Sequence, residues 1–176
     1  MKRTLLIVLC ALLMGLLPAS ASVGRDILLI HRQTNNWTGA DLVTVIMADG
    51  SRLVFNLDKV PHEIRANNAE LLFFLRTHAL SAETLLHGAA APLELTKLTK
   101  QQADEIRALA GKIQALPFDA LPDKLDAGDF LTYAVLPVEG EAAMVLLAQA
   151  GNQKGSTADP AALELLNLAG PYLMGE

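Results

Sequence analysis

Residues 42–57 read LVTVIMADGSRLVFNL, and the reading of this stretch decides the fold class. Two short apolar runs, Leu42–Met47 and Arg52–Leu57, flank Asp49-Gly50. An Asp-Gly pair readily takes the positive φ values of a tight hairpin turn, so the spacing predicts two antiparallel strands. Successive strand residues point to opposite faces of a sheet. Val43, Val45 and Met47 therefore share one face, and Leu42, Thr44 and Ile46 the other. Both faces are largely apolar, which predicts that helices cover at least part of the sheet.

Upstream, Asp26–Arg32 (DILLIHR) reads as a buried strand, and Gln33–Ala40 (QTNNWTGA) as a polar turn cluster carrying one large aromatic. Downstream, Lys59–Asn68 reads as a connector broken by Pro61. Ala69–Ala79 (AELLFFLRTHA) contains an unbroken apolar run, Leu71–Leu75, in which periodicity does not separate helix from strand. Its Ala, Glu and Leu content, with few β-branched residues, favours helix. Ser81 suits the cap of a short turn, Ala82–His87, that Gly88–Pro92 ends.

The pattern predicts a helix over Lys100–Leu116. Thr99 and Gln102 stand at capping-box spacing, Ile106, Leu109, Ala110 and Ile113 make an apolar stripe, and Pro117 stops the helix. Phe118–Gly128 reads as a loop. A second hairpin, Phe130–Pro137 with Ala142–Gln149, turns at Glu139-Gly140, and Gly151–Thr157 (GNQKGST) reads as a solvated linker. A last helix opens with Asp159 as N-cap and Pro160 at the first helical position, where its missing N–H costs nothing. Leu163, Leu166 and Ala169-Gly170 lie along one face of it, and Gly170-Pro171 ends it. The order strand, hairpin, helices, hairpin, helix predicts an α+β fold. It consists of an antiparallel sheet from two hairpins packed against two or three helices, in a single domain over residues 22–176.

The first residues predict export. Lys2 and Arg3 precede an apolar run, Thr4–Leu17, then Pro18 and the small residues Ala19-Ser20-Ala21, the pattern of a cleavable secretory signal over residues 1–21. The apolar run falls short of the roughly 20 residues of a bilayer span. Cys10, the sole cysteine, lies in the middle of that run and not after it, so a lipoprotein junction does not fit. Removing 21 of 176 residues leaves 155 and takes Lys2 and Arg3, so the net charge of −5 becomes −7. The product would be secreted or periplasmic and disulfide-free, with a core large enough to hold without a staple. Its negative balance argues against nucleic acid and anionic membrane as partners, and nothing after residue 21 is long and apolar enough to span a membrane.

No nucleophile elbow, Ser-x-x-Lys pair or phosphate loop occurs, and the mature chain lacks a thiol. His62-Glu63 begins like a zinc-protease helix, but Ala66 stands where the second ligand belongs. His78 and His87 flank a break, and His31 projects from a strand near the polar cluster. No cofactor is predicted. Asp123, Asp126 and Asp129 (DKLDAGD) are the cation candidates, but their spacing is not that of an EF-hand loop. Trp37, the only tryptophan, sits among Asn35, Asn36 and Thr38 in a polar turn, the setting of a binding anchor.

The expectation is an exported noncatalytic binding or interaction module, with these four residues as its site and an extracytoplasmic protein or small ligand as its partner. An inhibitor of a secreted enzyme is a variant of it. The alternatives are a hydrolase using the Asp123–Asp129 loop with a histidine, and a carrier of small apolar ligands.

Overall fold

A computed structural model describes residues 26–35, 37–81, 92–114, 118–122, 128–151 and 153–174. The export segment, residues 1–21, lies outside them, as do Asn36, Ala82–His87, Asp123 and Asp126. The described strands are β1 (Ile27–Asn35), β2 (Ala40–Met47), β3 (Ser51–Asn56), β4 (Glu94–Lys97), β5 (Phe118–Pro122), β6 (Gly128–Val138), β7 (Glu141–Gly151) and β8 (Gln153–Thr157). They form one eight-stranded sheet in the order β4-β3-β2-β1-β6-β7-β8-β5, with every neighbouring pair antiparallel. The described helices are α1 (His62–Ala66), α2 (Asn68–Ser81), α3 (Lys100–Ala110) and α4 (Pro160–Met174). The fold is α+β, an antiparallel sheet packed on helices, and the sheet is larger than two hairpins alone would build.

The Leu42–Leu57 stretch pairs from Leu42↔Asn56 to Ile46↔Arg52. Its turn differs from expectation, because Gly50 (φ 84) takes the left-handed conformation and Asp49 does not. Asp49 acts through its carboxylate, which accepts from the Ser51 N–H at 2.9 Å and the Ser51 hydroxyl at 3.0 Å. At the second hairpin, Glu139 (φ 52) and Gly140 (φ 87) are both left-handed, as a two-residue turn between Val138 and Glu141 requires.

Helices cover the sheet on both faces. Val43, Val45, Met47, Leu53 and Phe55 form one core with Leu71, Leu72, Leu75 and Ala79 of α2. Those α2 positions fall on one helical face, and Phe73 between them points to solvent. On the other face Leu29, Ile46, Ala134 and Leu147 pack against Ile106 and Leu109 of α3 and Ala162, Leu165 and Ala169 of α4. Extra residues in the ladders, at Leu28 in β1 and Leu147 in β7, reset the alternation so that both faces stay filled.

Several elements correct the local reading. β1 continues through Asn35, which shortens the polar turn. The connector before α2 holds the short helix α1, and β4 forms on the outer edge of β3. Helix α3 has its capping box at Thr99 and Gln102 but ends at Gly111, whose N–H reaches the Arg107 carbonyl at 3.0 Å. Neither the loop after it nor the GNQKGST linker is irregular throughout. Phe118–Pro122 and Gln153–Thr157 pair with each other as β5 and β8 at the sheet's far edge. Helix α4 starts as expected, with the Asp159 carboxylate accepting from the N–H groups of Ala161 (2.8 Å) and Ala162 (3.1 Å). It then continues through Pro171 to Met174, burying Ala162, Leu165, Ala169 and Leu173 while Leu163 is exposed. Pro171 lacks a donor for the last turn, which is held instead by buried Leu173 and by Arg52, whose Nε donates to the Tyr172 carbonyl at 2.5 Å.

The helix layer of α3 and α4 sits toward the β2–β3 turn, where Arg107 donates to the Ala48 carbonyl and Ala103 abuts Gly50. The opposite end of that sheet face, beside the β1–β2 turn, carries no helix among the described residues. Among those residues no helix is long and apolar enough to cross a membrane.

Candidate binding site

The β1–β2 turn is built by the Asn35 side chain. Its carboxamide oxygen accepts from the N–H of Trp37 at 2.9 Å and of Thr38 at 3.0 Å. The Asn35 carbonyl accepts from Gly39 at 2.8 Å, Thr38 Oγ1 accepts from Ala40 at 3.3 Å, and Gly39 supplies the left-handed residue (φ 73). The backbone under the indole is thus tied at four points, while Trp37 itself is 81% exposed. Large apolar side chains are mostly buried, so an aromatic held out on an ordered turn is the informative exception.

The register places two rows with polar residues next to this turn, on the part of the sheet face that carries no helix among the described residues. One cross-strand row runs Asn56–Leu42–Gln33–Phe130–Ala150 from β3 to β7. Asn56, Gln33, Phe130 and Ala150 are exposed and Leu42 is half-buried. The row behind it, nearer the helices, runs Val54–Thr44–His31–Thr132–Ala148. Its central three residues are buried. His31 Nδ1 meets Thr132 Oγ1 at 2.9 Å, and the imidazole stacks on Phe130 with ring centroids 6.1 Å apart. Nε2 of His31 is buried and has no hydrogen-bond partner among the described residues.

Burial holds the His31 pKa below its ordinary 6.5, so the ring is neutral in the folded protein at pH 7. The unfolded chain takes up a proton at His31 as pH falls past about 6.5, whereas the folded chain resists it. Stability tied to neutral His31 is therefore present above that pH and lost below it. Urea midpoints measured from about pH 7.5 down to 5.5 are expected to fall more steeply for wild type than for His31→Gln. Parallel curves would exclude His31 as the cause.

Arg32, Asp41, Arg65 and Asp129 lie at the same end of the sheet, with Arg32 and Asp41 on the face that α2 covers. The Asp41 carboxylate accepts from Arg32 Nε at 2.8 Å and Nη2 at 2.6 Å, and from Arg65 Nη1 at 3.2 Å. Arg32 Nη1 also donates to the Arg65 carbonyl at 2.8 Å, which fastens α1 to the sheet. Nearby, burial pushes the Tyr133 hydroxyl pKa up, with the Arg32 charge opposing and the Asp129 charge reinforcing that shift.

The sequence-named residues divide accordingly. Asn35, Trp37 and Thr38 come together in one turn, and Asn36 lies outside the described residues. Of the acidic trio only Asp129 is described. It lies in β6, its N–H donating to Thr34 Oγ1 at 3.2 Å. Among the described residues no group of three or more His, Cys, Asp or Glu is placed to hold a metal. His62 opens α1, and His78 in α2 packs on Phe74 with centroids 4.0 Å apart. The depression between α3 and α4, lined by Leu109, Lys112, Glu164 and Leu168 among others, is an open surface groove. Sequence reading did not single out Gln33 or Phe130. Their partnership lies in the β1–β6 register, and no local pattern reports a pairing 97 positions apart.

The fold and the turn define a class: an α+β protein whose helix-clad sheet presents an aromatic residue at its open end. Comparison with known proteins returns no match to a family model, a curated protein or a solved structure.

Proposed function

We infer that this chain is an exported, noncatalytic binding module that takes an extracytoplasmic protein or small ligand at the β1–β2 turn. The observation that carries this reading is Trp37, 81% exposed on a turn fixed by Asn35. An ordered, solvated indole gains large apolar contact on binding and loses little conformational freedom, the property of an energetic anchor.

Trp37 is the only tryptophan, so intrinsic fluorescence reports on this site alone. The native protein is expected to emit as a water-exposed indole, open to iodide quenching, with little further red shift on unfolding. Tagged protein is then used to capture partners from its own cell envelope and medium, with folded Trp37→Ala as the paired control. The expected result is a species whose binding blue-shifts and shields Trp37. Trp37→Ala should weaken it by about 30-fold or more, the loss of a ~2 kcal/mol hot spot. Equal capture by both proteins, or capture that leaves the emission unchanged, overturns the reading.

A further inference from the structure

Resting on the binding-module reading, we propose that the exposed row beside Trp37 recognises a neutral polyhydroxylated ligand, a glycan chain, laid across strands β3 to β7.

Charge is the first argument. The net charge of the chain is −5, yet across the five strands from β3 to β7 neither the exposed row nor the row behind it contains a charged side chain. The first charge beyond them is Glu94, which continues the row behind on β4 and is held by Arg52 at 2.9 Å. Arg32 and Asp41 lie on the sheet's other face, where they satisfy each other. A patch without charge on an acidic protein complements neither a nucleic acid nor an ionic peptide, and it matches an uncharged partner.

The second argument is the alternation of group types. A sugar ring carries C–H bonds on its faces and hydroxyls around its edge, so its binding surface needs apolar platforms interleaved with groups that both donate and accept. The exposed row supplies this, with the carboxamides of Asn56 and Gln33 on either side of Leu42, and then Phe130. The Asn56 oxygen already accepts from the Asp58 N–H at 2.7 Å, so Asn56 offers chiefly its NH2 donors. The Gln33 backbone is engaged in the sheet, and among the described residues its side-chain carboxamide makes no hydrogen bond, which leaves those donors and that acceptor for a ligand. The Phe130 ring is 37% exposed and backed by His31, a support that limits its rotation. Behind it lies the buried His31 Nε2, a polar atom without a hydrogen-bond partner among the described residues. Five strands at ~4.8 Å spacing make a row about 19 Å long, enough for a short oligosaccharide, with the Trp37 turn at its side.

The probes are cellohexaose and chitohexaose, with polylysine and polyglutamate as charged contrasts, titrated into the full chain. The readouts are Trp37 emission and the amide NMR shifts of β1 and β6. At least one neutral oligosaccharide is expected to saturate both readouts, and neither charged polymer to do so. Gln33→Ala and Phe130→Ala alter exposed positions, and each should weaken binding at least about tenfold. Phe73→Ala, exposed on the α2 side, should leave it unchanged. The proposal is overturned if no neutral oligosaccharide moves either readout up to about 10 mM, or if binding survives loss of both Gln33 and Phe130. The two readings fail separately. An envelope partner that still depends on Trp37 after periodate destroys its glycans, but not after proteolysis, leaves the binding module standing and ends the glycan assignment. Oligosaccharide binding that needs Gln33 and Phe130 but tolerates Trp37→Ala supports the row and removes Trp37 as the anchor.

Discussion

Asp41→Ala is expected to remove about 3–5 kcal/mol of stability, the largest loss from any single change at this end of the sheet. The Asp41 carboxylate is 4% exposed and holds Arg32 through a two-point contact at 2.8 and 2.6 Å, and Arg65 at 3.2 Å. Two guanidinium groups therefore converge on one carboxylate. Removing it leaves Arg32, whose side chain is 15% exposed, without its counter-charge in a site it cannot leave. The Arg65 side chain is 24% exposed and can turn to water, so the cost concentrates on Arg32. The Arg32 bridge to the Arg65 carbonyl loosens with it, whereas the Asp41 N–H keeps its bond to the Asp58 carboxylate at 2.8 Å. Urea denaturation followed by circular dichroism measures the loss. Pairing Arg32→Met with Asp41→Leu should recover most of it, since the charges are removed together and replaced by apolar volume. A loss under about 1 kcal/mol for Asp41→Ala would show a pair that behaves as a solvated surface bridge.

Gly128→Ala comes second, at about 3 kcal/mol, the upper end of overpacking costs. A Cβ on Gly128 would overlap the Thr34 carbonyl oxygen and lie 2.8 Å from the Thr34 carbonyl carbon and 3.0 Å from Asn35 Cα. All three are backbone atoms of β1, so no side-chain rotation relieves the overlap and the Asn35↔Gly128 pairing must open. Gly151 (φ 113) is held in the same way, its missing Cβ facing the Gly128 carbonyl and, at 3.0 Å, Asp129 Cα. The two glycines let β1, β6 and β7 close together at the edge that carries the Trp37 turn. Amide exchange should therefore accelerate at Asn35 and Ala40 in Gly128→Ala. Gly170→Ala is the contrast, since nothing beyond its chain neighbours lies within 4 Å of the added Cβ and the position is helical. Helix propensity favours the change and the Pro171 ring next to the new Cβ opposes it, so stability should move by less than about 1 kcal/mol. A Gly128→Ala protein as stable as wild type would show that β1 shifts freely at this end.

Much of this molecule was legible one segment at a time. The alternation in Leu42–Met47 assigned residues to faces that two separate cores then cover. Glu139-Gly140, the Thr99–Gln102 box and Asp159-Pro160 each marked an element boundary because a few neighbouring atoms decide it. The Ala69–Ala79 run was ambiguous in period, and its helix-forming composition was the better guide. Of the site, Trp37, Asn35 and Thr38 were readable because an Asx turn is closed within five residues.

The elements that escaped are those whose hydrogen bonds are supplied from far along the chain. β5 and β8 are polar or proline-bearing segments that look like loops until each pairs with the other, and β4 is exposed throughout and exists by pairing with β3. Pro171 reads as a stop, yet Leu173 and the Arg52 contact carry α4 past it.

By itself, then, the sequence determined the α+β class, the two glycine-marked turns, the helix starts and an aromatic in a polar turn. Each is a property of neighbouring residues competing for the same few backbone groups. Tertiary structure alone decided the sheet order, the Arg32–Asp41–Arg65 cluster and the uncharged row from Asn56 to Ala150. Those depend on register, and register is set by which buried faces meet, a condition no short segment contains.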